Sequence, residues 1–435
     1  MPGHRGTDVP VHAARKVPAA SPIGEGQLMR SVTEQLDLVL GAALTPPPVR
    51  VAISEAQGLL CAEEVVASAA LPAFDQAAVD GYAVRSVDVY GASPVNPIAL
   101  PVVGEIDAGT RSAHRLQPHQ CVYVATGAPL PTIADAVVPR SAAERASARV
   151  NVTRAVGSGQ YVRRTGEDVQ PGDVAVRSGA FIGSAQVGLL AAVGRDKVLV
   201  HPKPRLSIIS VGDELVDVSR SPGPGQVYDV NSFALAAAAR DAGAEVNRVG
   251  IAPRDPRKLH ELVEARLLVS EVVVISGAAG GHSAELVVEA LSDLGDLDLT
   301  RVAMQPGSAQ GFGRLGPDAV PTFLLPINPV SALVVFEVMV RPVLRVMLGR
   351  RNPYRRTVTA RTLEPIASPE GRRQFLRGQL MRDEDDEYLV HILGGGGTHL
   401  LASLAEANCL VLVDEMSTSI PVGSEVPVSF LAQRA

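Results

Sequence analysis

The chain has 435 residues and a formal net charge of −6, with 46% apolar, 20% charged and 3% aromatic residues and no tryptophan. This composition describes globular cores, and it excludes both a broad basic footprint and an aromatic stacking platform for nucleic acid. Three cysteines, Cys61, Cys121 and Cys409, stand far apart with no CxxC pair, which argues against a zinc site or a disulfide framework and fits reduced thiols in the cytoplasm.

Residues 1–28 carry no apolar signal segment, are rich in Pro, Gly and Ala, and are expected to form a disordered leader. The spacing of Val32, Leu36, Leu38, Val39 and Leu40 then predicts a helix, ended by "TPPP", with a short strand over Val49–Ile53. From Leu71 to Val162, short strands separated by Gly, Pro and Asp predict a β-rich insertion. Turns at Gly166 and "QPGD" follow, and Phe181–Gly194 returns to a helical pattern. From Leu206 strands alternate with helices: "LSIISVGDEL", Asn231–Ala242, "EVNRVGI", Pro256–Leu268, "EVVVISG", Ala284–Leu294, "DLTRVAM", "PTFLLP" and a long helix from Pro329. Such a series predicts a largely parallel three-layer α/β domain, in which ligands gather beyond the carboxyl ends of the strands. The apolar run Val330–Gly349 is interrupted by Glu337, Arg341, Pro342 and Arg345, and reads as a buried helix rather than a membrane span. After the Pro and Arg linker 348–356, short alternating strands and "GGGG" at 394–397 predict a small β domain.

Five loops fall where strands should end: "DGYAV" at Asp80, "ATGAP" at Ala125, "TGEDV" at Thr165, "VGDELVD" at Val211 and "SGAAGGHSAE" at Ser276. The last leads into a helix whose first amides suit an anion, although it reads more readily as a plain strand-to-helix turn; it lacks the GK[ST] of a P-loop and the GxGxxG spacing. Acids in or near these loops, Asp80, Glu167, Asp168, Asp213, Glu214 and Asp255, suit Mg²⁺ held between protein and phosphate oxygens, or serve singly as helix caps and solvated turns. Asn328 before Pro329 is explained as a helix cap without any ligand, and Arg163 and Arg164 suit either an anionic ligand or neighbouring acids. No HExxH or other metal pair is present.

The stretches "LPAFDQAAVDGYAV", "VYVATGAPLPTIADAVV", "RRTGEDVQPGDV", "VGDELV", "GQVYDVNS", "VAMQPGSAQGFGRL" and "LPINPVSALVVF" resemble, in order, those of the molybdopterin molybdenumtransferase family, whose animal relatives include the gephyrin E domain. The resemblance implies an α/β and β multidomain fold, an elongated homodimer of four-domain subunits. The divisions it implies are an N-terminal dimerisation domain (29–70 plus 163–205), a β-rich insertion (71–162), an α/β molybdopterin-binding domain (206–349) and a C-terminal β barrel (350–435). It also implies a Mg²⁺- and molybdate-dependent reaction that cleaves adenylated molybdopterin, places the metal on the dithiolene sulfurs and releases AMP. Carried over by motif, Asp80, Asp168 and Glu214 are catalytic, with Asp80 facing substrate from the partner side of the cleft. Thr126, Gly277, Gly280, Gly281, His282, Gln305, Ser308, Asn328 and Ser331 bind substrate, and Asp255 and Glu285 bind the metal.

The departures concentrate in the α/β domain. The family's SGGVSVGDxD is here "SGAAGGHSAE", with Ser283 and Glu285 at the two acid positions, and Gln305 and Ser308 stand at two lysine positions. Val211 replaces a threonine and Ile327 replaces the glycine of LPGNP, which narrows the pocket. Charge-assisted hydrogen bonds contribute roughly 1.5–3 kcal/mol each, so two lost lysines amount to about 3–6 kcal/mol, or two to four decades in affinity or rate. His282, Arg314 and Arg164 are the candidates to replace them. The emptied lysine pair also raises a second reading: a gephyrin-like scaffold with reduced catalysis that binds a protein or peptide partner, such as the cell-division machinery, in a groove between the α/β and C-terminal domains.

Overall fold

The computed structural model describes residues 29–110, 115–253, 255–394 and 400–431; the expected leader 1–28 and most of "GGGG" lie outside them. The chain forms two compact units, one of Pro48–His201 and one of the residues before and after it.

In the larger unit, helix α1 (Val32–Leu40) begins with a capping box: Ser31 Oγ accepts from the Glu34 amide at 3.1 Å, and the Glu34 carboxylate accepts from the Ser31 amide at 2.9 Å. The α/β part follows as β1 (Arg205–Ser210), α2 (Val230–Ala242), β2 (Glu245–Ile251), α3 (Pro256–Leu267), β3 (Val272–Ser276), α4 (Gly281–Leu291), β4 (Gly295–Arg301), β5 (Ala309–Leu315), β6 (Val320–Leu325), α5 (Pro329–Val335) and α6 (Arg341–Met347). The sheet order is β2-β1-β3-β6-β5-β4; its first four strands are parallel, and β5 runs antiparallel to both of its neighbours, β6 and β4. Residues alternate between faces along each strand. Leu206, Ile208, Val272 and Val274 therefore join α1, α2 and α5 in one core, while Ile209, Val273 and Ile275 join α3 and α4 in another.

The N-terminal domain expected from the sequence joins 29–70 to 163–205, yet Val32 and Val39 of α1 are buried in the α/β core, apart from the strand that follows them. The run from Pro329 is one continuous helical rod, with a π turn at Phe336–Val340 between α5 and α6. Among the described residues no helix is long and apolar enough to cross a membrane.

The expected linker at 348–356 is pinned to this rod. Arg355 donates to both Glu337 carboxylate oxygens at 3.0 Å and to Asp241 at 2.8 Å. Beyond it, β7 (Thr357–Thr362), β8 (Arg373–Arg382), β9 (Tyr388–Ile392), β10 (Cys409–Val413) and β11 (Glu425–Phe430) close into a five-stranded barrel, because β10 pairs with both β11 and β8. Closure removes the exposed edges of a small sheet.

In the unit Pro48–His201, Val49–Ala52, Lys197–His201 and Leu60–Cys61 form a three-stranded sheet, and helix Ser184–Ala192 shares its core through Leu190. A six-stranded sheet from Gly81–Val84 to Arg149–Val152 builds the expected β-rich part around Val84, Leu100, Val138 and Val150.

Candidate functional site

The loops after β1, β3 and β6 all leave the carboxyl edge of the parallel strands. The chain passes from β2 over β1 to β3, so the strand order reverses between β1 and β3, the place where open α/β sheets bind ligands. A cavity of about 280 Å³ lies there, lined by Val211, Glu214, Tyr228, Asn231, Ser276 and Ile327 among others. The backbone at its base is tight. The Val211 amide donates to the Ser276 carbonyl at 2.8 Å, and Gly277 has φ +81°, with a Cβ there falling 2.1 Å from the Val211 carbonyl oxygen. Only glycine fits that approach.

The polar floor is built by α2. Buried Asp229 caps the helix, accepting from the Ser232 amide at 3.1 Å and from the hydroxyls of Ser210 and Ser232 at 2.9 and 2.5 Å. Asn231, in the first turn, donates from Nδ2 to Ser276 Oγ at 2.7 Å and to the Ile327 carbonyl at 2.9 Å. These bonds tie the ends of β3 and β6 to α2. Glu214 is the half-buried acid of the lining.

Further along the same edge, Gly280 (φ +103°) precedes α4 without a side-chain cap, which leaves the first-turn amides for a ligand or solvent. A Cβ on Gly280 would meet Ala309, the first residue of β5, so the Gln305–Ser308 loop enters at this end. Ser308 Oγ donates to the Val302 carbonyl at 2.8 Å, and Gln305 is half-buried. Asn328 Oδ1 accepts from the Ser331 amide at 3.1 Å, the expected cap of α5. Asp255 Oδ1 caps α3 through the amides of Arg257 (2.9 Å) and Lys258 (3.4 Å). Glu285 is exposed on α4, and the side chain of His282 lies outside the described residues. Arg314 does not reach this edge. It pairs with Pro321 beside the start of β6, at the opposite side of the sheet, and donates to the Gly41 carbonyl at 3.0 Å.

In the unit Pro48–His201, three of the quoted stretches meet. The Gly127 amide donates to the Ala77 carbonyl (2.8 Å), Ala78 to Tyr161 (2.9 Å) and Asp168 to Leu71 (3.0 Å). Asp80 Oδ1 accepts from both the amide (2.8 Å) and the hydroxyl (2.7 Å) of Thr126, and these bonds hold its carboxyl below the usual range. Asp75 repeats the device with Thr165, at 2.8 and 2.9 Å, and adds Arg164 at 2.7 Å, so its carboxyl is also depressed. Arg164 is thus neutralised within its own unit. Asp168 is exposed on the same group of loops.

Family profiles match nearly the whole described chain: the MoeA N-terminal region, domains I and II, over residues 30–194; a probable molybdopterin binding domain over 207–346; and the MoeA C-terminal region, domain IV, over 359–431. A protein named molybdopterin molybdenumtransferase 1 from Mycobacterium tuberculosis is 61% identical over 424 residues, covering 93% of this chain and all of that one. The chain belongs to the MoeA family of molybdenum cofactor biosynthesis. A second M. tuberculosis family member, molybdopterin molybdenumtransferase 2, is 38% identical across 92% of this chain and 99% of its own. Among solved structures, a MoeA protein of molybdopterin biosynthesis from Pyrococcus horikoshii superposes with a TM-score of 0.76 at 33% identity, covering 93% of this chain and all of that one.

Against this family background, Glu214 and Gly277 line the cavity, Gly280 and Ser308 stand farther along its edge, and in the other unit Asp80 pairs with Thr126 while the Asp168 amide bonds to the Leu71 carbonyl. Asn231, Ser276, Asp229 and Tyr228 were not singled out from the sequence as site residues. The signal that points to three of them is "YDVNS", where an aspartate cap and an asparagine stand at the start of a helix that follows a strand-end loop.

Proposed function

We propose that the protein inserts molybdenum from molybdate into adenylated molybdopterin and releases AMP. The observation that carries this reading is the cavity at the strand reversal, with Glu214, Asn231 and Ser276 in its lining and a glycine, Gly277, at its tightest approach. Gly277, Gly280 and Gly281 give close backbone access to substrate phosphate, and Asn328 and Ser331 set the start of α5 beside it. Gln305 acts there as a neutral donor, Ser308 anchors the loop through its hydroxyl bond to the Val302 carbonyl, and His282 stands at the start of α4. Asp80 and Asp168 are assigned to the reaction with Glu214, and Thr126 keeps Asp80 ionised and oriented.

Among the described residues no three of His, Cys, Asp and Glu gather into a metal-holding cluster. We infer that Mg²⁺ would be taken up through one or two carboxylates together with substrate phosphates. Asp255 and Glu285 are the acids that would hold it, and the ion would neutralise charge on phosphate oxygens. We also assign a homodimer and a cytoplasmic location. The scaffold reading is not favoured, because the relative that shares 61% identity over its full length is named as a transferase.

Titration calorimetry with adenylated molybdopterin and Mg²⁺ tests this proposal. Saturable binding that weakens in Glu214→Gln supports it; no heat of binding at millimolar ligand counts decisively against it.

A further inference from the structure

The cavity has a second character that the reaction's acids do not explain. Val227 and Ile327 are each 53% exposed and Tyr228 is 44% exposed, and all three line the same cavity. Large apolar groups left in solvent around a concave site mark a surface that is covered when a ligand arrives. The polar atoms beneath are engaged with one another: Asn231 Nδ2 divides its two hydrogens between Ser276 and the Ile327 carbonyl. That bond also fixes the backbone of residue 327, so the isoleucine side chain is presented in a set position rather than on a free loop.

We propose that Tyr228 and Ile327 grip a planar heteroaromatic ring of the substrate, and that Ile327 sets how well that ring is held. A tyrosine offers a flat face with a polar edge, and a β-branched side chain has little rotamer freedom to lose on contact. The ring end of the substrate then lies over the apolar rim formed by residues 227, 228 and 327, and its charged end toward Glu214 and the glycine loops. This division explains how a chain with glutamine and serine at two lysine positions retains its ligand: ring contact replaces part of the lost charge contact. The inference rests on the proposed reaction only for the identity of that ring, since adenylated molybdopterin contains two, a pterin and an adenine.

The test measures direct binding of 6-hydroxymethylpterin and of AMP to the full chain, with inorganic phosphate as a control, in the wild type, Ile327→Gly, Ile327→Val and Tyr228→Ala. Ile327 is exposed, so its variants leave the fold in place, and their melting temperatures verify that. The expected result is a loss of about tenfold in affinity for one of the two rings in Ile327→Gly and Tyr228→Ala, with Ile327→Val near wild type and phosphate unaffected. Loss on the pterin identifies a pterin grip, and loss on AMP an adenine grip. In turnover the same variants raise KM and leave kcat unchanged. Unchanged affinity for both rings in Ile327→Gly, or a wild type that binds neither, overturns the inference. If ring binding depends on Ile327 while no AMP is released from adenylated molybdopterin, the grip stands and the transferase reading falls.

Discussion

Asn231 is tied to Ile327 across 96 residues of chain: its Nδ2 donates to the Ile327 carbonyl at 2.9 Å while also holding Ser276 Oγ at 2.7 Å. One side chain thus sets the spacing of the β3 and β6 ends around the cavity. Replacing Asn231 with alanine leaves a carbonyl and a hydroxyl with one partner fewer in a largely buried position, at a cost of about 1–3 kcal/mol. Urea unfolding should register that loss with an unchanged m-value, and affinity for adenylated molybdopterin should drop with it.

Gly277→Ala is expected to be more damaging than its size implies. The added methyl would fall 2.1 Å from the Val211 carbonyl oxygen at a φ of +81°, so the two strand-end loops must separate. A loss above about 3 kcal/mol is predicted, together with loss of ligand binding at the cavity. Thermal unfolding decides this; a melting temperature equal to wild type would contradict the close approach.

The pH behaviour of the other cluster follows from Thr126. Its hydroxyl and amide depress the Asp80 carboxyl, so the folded value lies below the unfolded value of about 3.9. A depressed acid contributes stability that is present above the unfolded value and is lost as pH falls through the folded one. Asp80 is therefore ionised throughout the neutral range, and no activity change between pH 5 and 8 should arise from it. Thr126→Val removes the hydroxyl and keeps the amide, which moves the Asp80 titration upward. Carbon-13 NMR of the carboxyl measures that shift directly.

Glu337 faces two guanidiniums, Arg355 at 3.0 Å and Arg341 at 3.6 Å, in a half-buried to buried setting between the helical rod and the segment that leads into the barrel. Burial pushes Arg341 down to about 10, and its Nε has no hydrogen-bond partner. Glu337→Gln strips the carboxylate from Arg341 while Arg355 keeps Asp241 at 2.8 Å, and it is predicted to cost about 3–5 kcal/mol. Arg355→Met removes one cation and leaves Glu337 with Arg341, so it should cost less. Melting temperatures equal to wild type in both variants would show that the network contributes no charge pairing.

Much of this was readable in advance for reasons that can be named. Asn328 before Pro329 is a local cap, and it caps as read; the alternation after Leu206 follows from strand and helix periods that neighbouring residues set. What escaped depends on long-range placement. Helix α1 carries an apolar stripe that any core would accept, and "TPPP" marks where it ends without saying which core takes it. Arg314 was a reasonable replacement for a missing lysine until the antiparallel run of β5 carried it to the far edge of the sheet, and strand direction is not written in the strand's own residues. The start of α4 at Gly281 rather than Ala284 reflects weak helix formers held by the preceding loop. Asn231 was read as a helix start, and its bonds to Ser276 and Ile327 join segments 45 and 96 residues away.

The account's central claim is turnover at this cleft despite glutamine and serine at two lysine positions. The direct measurement is AMP released by the purified full chain from adenylated molybdopterin with Mg²⁺ and molybdate, set against the Glu214→Gln variant. The account predicts multiple turnovers by the wild type and a loss of at least about 10²-fold in the variant. Bound substrate that yields no AMP under these conditions would contradict it.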